Sequence, residues 1–393
     1  MIFLKWKWFN LKNVLKYILA ILVIFNFFII LSGKSWIYKA VSVTYLNGYT
    51  SSYIDDYVHF PTNSIKDGNH QEWLIAKEYN KAQLPEFIKP INDKLGTVAY
   101  VVIKNDSIIF EEYWDGYSAD SSSNSFSMAK SWISTLVGVA IKEGKIESVN
   151  QKACDFLPEF CEGDNSKITI KHLLTMSSGL NWNEDYHNPL GQTAEAYFAP
   201  NLKEQMMSLK AIESPGEIFK YHSSCSQLLA FIVESAAGKS VNEYTSEKLW
   251  KPMGAKHSAL WNTDTKRGDE KAFCCINSNA RDFARLGKLY MNQGNWNGTQ
   301  LLDSNYVKEA TSAANLLDED GNKNVNYGYQ FWIANRKGLD IYYTRGLWGQ
   351  YVICIPERDL IIVRLGRNYG VHLKDGHSED FYQFIDAALV MYP

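Results

Sequence analysis

Ser127 and Lys130 stand three residues apart in Ser127-Met128-Ala129-Lys130, the one Ser-X-X-Lys in the chain. With 32 Ser and 32 Lys among 393 residues, random placement gives two or three such spacings, so the spacing alone decides nothing. Its setting decides more. The tetrad opens the run SMAKSWISTLVGVAIKEGK, in which Trp132, Ile133, Leu136, Val137, Ala140 and Ile141 recur at helical spacing and Gly144 closes the pattern. An i, i+3 pair in a first turn shares one helix face. Positive potential at a helix N-terminus and apolar surroundings both disfavour a protonated amine. A neutral Lys130 can then accept the Ser127 hydroxyl proton, which a serine nucleophile requires where no histidine serves as base. The competing reading is a capping Ser with a solvated Lys one turn on.

Two other stretches could join this pair. Pro215-Gly216-Glu217-Ile218-Phe219-Lys220-Tyr221-His222-Ser223 is a turn entering the apolar helix SQLLAFIVESAAG. There Tyr221 can pass a proton to a leaving group, and Ser223 can hold the lysine ammonium or a substrate carbonyl. Tyr343-Thr344-Arg345-Gly346-Leu347-Trp348-Gly349-Gln350 reads as a strand start where small residues let a substrate lie along the edge. His172 and His222 read as structural, because the scheme already has its base.

These residues need elements to hold them. TVAYVVIKNDSIIFEEYWDG, from Thr97, is two β-rich runs around Lys104-Asn105-Asp106 and predicts a hairpin. Residues 145–320 are mostly helical patterns closed by glycines, such as ITIKHLLTMSSG and SNARDFARLGKLYMNQG. YGYQFWIAN, DIYYTRG, GQYVICIP and DLIIVRLG return to strand character, and a helix follows from Glu379 to Val390. Strands at both ends with helices between predict an α+β unit whose antiparallel sheet the C-terminal segment completes. The expected division is an N-terminal stub and anchor or signal over 1–33, a stalk and packed lead-in over 34–95, and a catalytic unit over 96–393 with a helical part inserted at about 145–320.

A chain that is 46% hydrophobic and carries 12 Trp, 24 Tyr and 19 Phe is not disordered. A net charge of -3 offers no field for a phosphate backbone, so nucleic acid is not an expected partner. Residues 17–33, YILAILVIFNFFIILSG, follow Lys5, Lys7, Lys12 and Lys16, and no acid precedes Asp55. That layout predicts an uncleaved anchor with a cytoplasmic N-terminus, the remainder lying outside the cytoplasmic membrane, with a cleaved signal peptide as the alternative. Of the six cysteines, Cys154 and Cys161 can close a short disulfide loop in an oxidising compartment, and six free small apolar residues are the alternative. Their spacing is not metal-like.

Taken in order, SFSMAKS, LLTMSSGL (173–180), SPGEIFKYHSS (214–224), NARDFARLG (279–287) and RGLWGQYVICIPERDLIIVRLG (345–366) resemble the serine β-lactamase-like superfamily. Within it the chain resembles the class C β-lactamase, penicillin-binding-protein and esterase branch, most closely the 6-aminohexanoate-dimer hydrolase type, whose WNEDY segment matches Trp182 to Tyr186. The resemblance runs from about Gly96 to about Leu389. It implies an antiparallel sheet flanked by helices plus an all-helical part, with the site in the cleft between them. It further implies that Ser127 is the acylated nucleophile, Lys130 the base and Tyr221 the proton relay, with the backbone N–H groups of Ser127 and Leu347 as the oxyanion hole. Tyr186 would cover the substrate, and Ser223, Arg345, Gly346 and Trp348 would line its site. No cofactor and no metal are implied. Two departures stand out: Ser223 replaces the usual Asn, and Thr344-Arg345-Gly346 replaces Lys-Thr-Gly. Amidase and esterase relatives share both, so the expected reaction is hydrolysis of an amide or ester in a small molecule or short peptide. The alternative is a penicillin-binding or D,D-peptidase-like protein.

Overall fold

The computed structural model describes residues 11–393; Lys5 and Lys7 of the basic N-terminal cluster lie outside the described residues. Helix α1 (Leu11–Leu31) is followed after four residues by α2 (Trp36–Val43). The short strands β1 (Thr62–Ile65) and β2 (Leu74–Ile75) and helix α3 (Lys89–Leu95) then lead to the predicted hairpin, β3 (Thr97–Lys104) and β4 (Ser107–Tyr113). Strand β5 (Ser123–Asn124) runs through a 3-10 turn at Phe126–Met128 into α4 (Ala129–Lys142). The helices α5 (Ile170–Leu174), α6 (Gln192–Phe198), α7 (Leu202–Met207), α8 (Ser223–Ala237) and α9 (Val241–Thr245) come next. They are followed by β6 (Ala259–Asn262), β7 (Ile276–Ser278), α10 (Ala280–Met291), the hairpin β8 (Asn295–Trp296) and β9 (Thr299–Gln300), and α11 (Ser304–Ala310). The chain closes with β10 (Trp332–Arg336), β11 (Leu339–Gly346), β12 (Gln350–Ile355), β13 (Leu360–Gly366) and α12 (Glu379–Met391).

The fold is α+β, as expected. A seven-stranded sheet runs in the order β10-β11-β12-β13-β3-β4-β2, so the C-terminal strands lie against the early hairpin. Val, Ile and Tyr dominate β3, β12 and β13, and these strands are buried on both faces, which is why they read as continuous apolar runs rather than alternating ones. On one face α10 packs so closely that a Cβ on Gly287 would sit 3.0 Å from Ile361 and Val352. On the other face Tyr100 donates to the Phe384 carbonyl of α12 at 2.7 Å, and Phe381 stacks on Tyr343 at 4.1 Å. Helix α4 is buried on nearly every side and packs against α8, as a helix apolar all round must. A four-stranded sheet, β1-β6-β7-β5, lies beside this helix pair and delivers the chain to Ser127.

Four expectations are corrected. Helix α4 begins at Ala129, because the residues from Phe126 to Met128 are held in a tighter turn. No free stalk follows the apolar helix: Trp36 and Val43 are buried, and α2 packs on α6. The stretch 145–320 is not purely helical, since β6 and β7 join the smaller sheet and α10 belongs to the larger one. Tyr343 to Gly346 end a strand rather than start one, because Gly346 pairs with Gln350 across a three-residue turn.

Cys154 and Cys161 are joined, closing the expected loop, and Cys274 is bonded to Cys275, which the sequence did not suggest; Cys225 and Cys354 are free and buried. Closing so short a loop restricts the unfolded chain by about 2 kcal/mol. Replacing Cys154 and Cys161 together by Ser should lower the free energy of urea unfolding by that amount and leave the rate of catalysis unchanged.

Candidate active site

Ser127 sits at the end of a turn that its neighbours fix from three sides. Ser125 N–H donates to the Ile276 carbonyl at 2.8 Å, and Ser125 Oγ accepts from Ile276 N–H at 3.2 Å. Phe126 N–H donates to Asn124 Oδ1 at 2.9 Å. Phe126 adopts φ 45°, a left-handed conformation that costs a non-glycine residue about 1–3 kcal/mol and persists only where surroundings enforce it. The result leaves Ser127 half-buried, with its hydroxyl against the Lys130 amine.

Lys130 lies one turn on with 1% of its surface exposed. Its Nζ is 2.9 Å from Ser127 Oγ and donates to the Phe273 carbonyl at 2.6 Å. Burial lowers its pKa to about 8, while the charge of Glu184 opposes that shift. Tyr221 stacks on Trp332, ring centroids 5.5 Å apart, and lies edge-on to Tyr327. The Lys130 ammonium lies 5.2 Å from the centre of the Tyr221 ring. Burial first, and then Glu184, hold the Tyr221 hydroxyl well above its ordinary pKa, while the nearby Ser127 hydroxyl pulls the other way. The Ser127 hydroxyl is thus within hydrogen-bonding reach of Tyr221 as well as of Lys130. The three residues singled out from sequence are thus brought together, with the proton affinity of the Lys130 amine lowered and that of the Tyr221 hydroxyl raised.

The fourth wall is β11. Strand β10 covers β11 only from Leu339 to Tyr343, so β11 is not an edge strand along its whole length; from Thr344 onward its outer edge is open. There Gly346 backs onto the nucleophile turn, and a Cβ at that position would collide with the Ser125 carbonyl. Among the described residues, neither Ser127 N–H nor Leu347 N–H meets an acceptor. Unengaged backbone donors of this kind are what an oxyanion hole needs. The turn carrying Leu347 is held by buried Arg364, which donates to the carbonyls of Trp348 and Gly349 at 2.8 Å each.

The other expected site residues are placed differently. Ser223 does not hold Lys130: its N–H and Oγ donate to Glu184 at 2.6 and 2.5 Å. Arg345 lies over Trp332 with its guanidinium carbon 3.4 Å from the ring centre, and it donates to the Gly376 carbonyl at 2.9 Å. Trp348 donates from its indole to the Ser52 carbonyl at 2.7 Å. Tyr186 is 54% exposed, and its hydroxyl donates to Glu184. His172 caps α5 together with Thr169, the structural role expected of it.

Glu184 is the residue the sequence reading missed. Its carboxylate accepts from Trp182 Nε1 at 2.5 Å, from Tyr186, and from both donors of Ser223 at the N-terminus of α8. It therefore caps that helix, pins the 182–186 loop, and acts electrostatically on Lys130 and Tyr221. The signal was present in WNEDY, two residues before the Tyr that was chosen. Beside Tyr221 and Glu184 opens a cavity of about 560 Å3, walled also by Trp182, Ile212, Glu213 and His222.

The family model for beta-lactamase matches residues 84–370. The chain belongs to the beta-lactamase family. It is 25% identical over 317 residues to the 6-aminohexanoate-dimer hydrolase of Paenarthrobacter ureafaciens, covering 75% of this chain and 78% of that one. The putative 6-aminohexanoate-dimer hydrolase from Bacillus anthracis superposes with a TM-score of 0.72 at 23% identity, covering 84% of this chain and 90% of that one. A family VIII carboxylesterase superposes with a TM-score of 0.63 at 18% identity, covering 81% of this chain and 99% of that one. The chain is a serine hydrolase of the beta-lactamase fold, the enzyme class its sequence implied.

If Lys130 is the base, kcat/KM should rise with pH through an apparent pKa of about 8, because the amine must lose its proton before it can take one from Ser127. Glu184→Gln removes the charge that favours the ammonium, so this limb should move to lower pH in that variant; an unmoved limb would separate Glu184 from the base.

Proposed function

We propose that the protein cleaves an amide or ester through an acyl-enzyme, with Ser127 as nucleophile, Lys130 as general base and Tyr221 as proton relay. The observation that carries this reading is the buried Lys130 amine, 2.9 Å from Ser127 Oγ, with a pKa lowered to about 8. Lys130 takes the hydroxyl proton as Ser127 Oγ bonds to the substrate carbonyl carbon. The N–H groups of Ser127 and Leu347 hold the oxyanion. Collapse of the tetrahedral adduct breaks the bond to nitrogen or oxygen, and Tyr221 supplies the leaving group's proton, which the Lys130 ammonium replaces. Water then attacks the acyl-Ser127 ester by the same route in reverse, releasing the acid and restoring Ser127.

Recognition of a substrate carboxylate at the Lys-Thr-Gly position, which D,D-peptidase chemistry would need, finds no free cation at that position. Thr344 occupies the position of the lysine in Lys-Thr-Gly and is buried with its hydroxyl unpartnered, and Arg345 is engaged with Trp332 and Gly376. This supports a general amide or ester over a cell-wall peptide. Helix α1 contains 19 residues of mean hydropathy 2.6, of which 6% are buried, and the described cysteines include two disulfides. Both features support a membrane-anchored enzyme whose catalytic part lies outside the cytoplasm.

Ser127→Ala should abolish turnover of p-nitrophenyl esters and short amides, and a fluorophosphonate should leave a single adduct on the peptide containing Ser127. Labelling of any other serine, or full activity without Ser127, would overturn the scheme.

A further inference from the structure

The segment after α1 touches both lips of the cleft. Lys34 donates to the Leu190 carbonyl at 3.1 Å, on the loop that carries Tyr186. Ser52 accepts from the Trp348 indole at 2.7 Å, in the turn that carries Leu347. Between these two anchor points, Tyr38, Val41, Tyr45, Leu46 and Tyr49 turn their side chains to solvent, Leu46 with 77% of its surface exposed. Leu190 adds another 49%-exposed apolar side chain at the lip itself.

The connection to α1 is short and ordered. Gly33, at φ 71°, closes the helix, with Gly33 N–H donating to Ile30 O at 3.1 Å and Lys34 N–H to Ile29 O at 3.1 Å. Trp36 is already buried in the catalytic body. Five residues from Leu31 to Trp36 reach at most about 17 Å even fully extended, and a capped turn spans less. The headgroup layer of a bilayer leaflet is itself about 5–8 Å deep, so the body has no room to stand off. Helix α1 presents apolar side chains in every direction, a surface that hydrocarbon covers, and the α2 segment continues from it. From residue 34 to residue 54 the chain carries no acidic residue that would repel anionic headgroups, and three exposed tyrosines suit the interface.

We propose that residues 36–49 and the lip around Leu190 form a bilayer-contact surface that seats the mouth of the cleft on the lipid headgroups. This rests on the reading of α1 as a membrane span. The occupant is the lipid surface itself.

The test places a nitroxide on Leu46→Cys, Leu190→Cys or, as control, Val390→Cys, which is exposed on α12 across the larger sheet. Labelling is selective because the described native cysteines are buried or disulfide-bonded. The full chain is reconstituted in phosphatidylcholine–phosphatidylglycerol vesicles, with circular dichroism and melting temperature matched to the parent. Labels at Leu46 and Leu190 should collide several-fold less with a water-soluble nickel chelate, and more with oxygen, than the label at Val390. Equal nickel access at all three sites in protein that resists carbonate extraction would overturn the contact surface while leaving the span intact. Release by carbonate would overturn the span and the surface with it. Spin–spin broadening at Leu46 that survives lipid dilution would assign the face to a second copy of the chain and overturn the proposal.

Discussion

Everything at this site depends on keeping one amine out of water. Lys130 is surrounded by the Phe273 ring and carbonyl, the Tyr221 ring and the packed interface of α4 with α8, and that desolvation brings its pKa to about 8. A solvated lysine one turn from a serine would remain an ammonium and accept nothing. The apolar character of α4, the tight α4–α8 contact and the polar aromatic wall of Tyr221, Tyr327 and Trp332 therefore act together as a means of lowering one proton affinity. Glu184 acts against this, and its four donors explain how a carboxylate can remain close by: Trp182, Tyr186 and Ser223 satisfy it, so it can hold the loop without forming an ion pair with Lys130.

The turn that carries Ser127 is held from a distance by the lead-in. Buried Asp56 accepts from Tyr197 at 2.7 Å and from Asn124 at 3.3 Å, and Asn124 in turn accepts the Phe126 N–H that fixes the left-handed residue before Ser127. Burial raises the Asp56 pKa to about 6, against the pull of Tyr197, Asn124 and Lys271. Lys271, beneath the Phe60 ring and bonded to the Tyr197 carbonyl, begins the segment that continues to Phe273 and so to Lys130. The lead-in thus reaches both Ser127 and Lys130 through buried polar contacts, each of which is costly if broken.

Much of this was legible in the chain. Helical spacing located α4, paired β-rich runs located β3 and β4, and the uncovered end of β11 lay within the glycine-bearing stretch that drew attention. What was hidden depended on distant partners. The Ser223 hydroxyl looked free to hold a lysine because nothing near it in sequence predicts Glu184, 39 residues earlier, as its acceptor. Arg345 read as part of the substrate lining; its actual neighbours are an aromatic face and a backbone carbonyl 31 residues away. The 3-10 turn at Phe126–Met128 escaped because it is imposed by Asn124 and Ile276, not by local propensity.

The same logic separates what holds the oxyanion donors from what holds the substrate. Leu347 N–H is presented by a turn that Arg364 fixes from below, and Arg364 is fully buried, with further bonds to the Leu95 and Asn368 carbonyls and to Thr97. Burial lowers its pKa to about 10, yet it remains a cation at any pH near neutrality, and the carbonyls it binds are those of Trp348 and Gly349. Holding those carbonyls fixes the turn while Leu347 N–H stays without an acceptor among the described residues. On the opposite lip the Tyr186 hydroxyl is bonded to Glu184 and the Leu190 carbonyl accepts from Lys34, while both side chains are about half exposed. The Leu347 turn is therefore fixed from the buried interior by a cation, whereas the Tyr186 loop is tied down through the single carboxylate of Glu184.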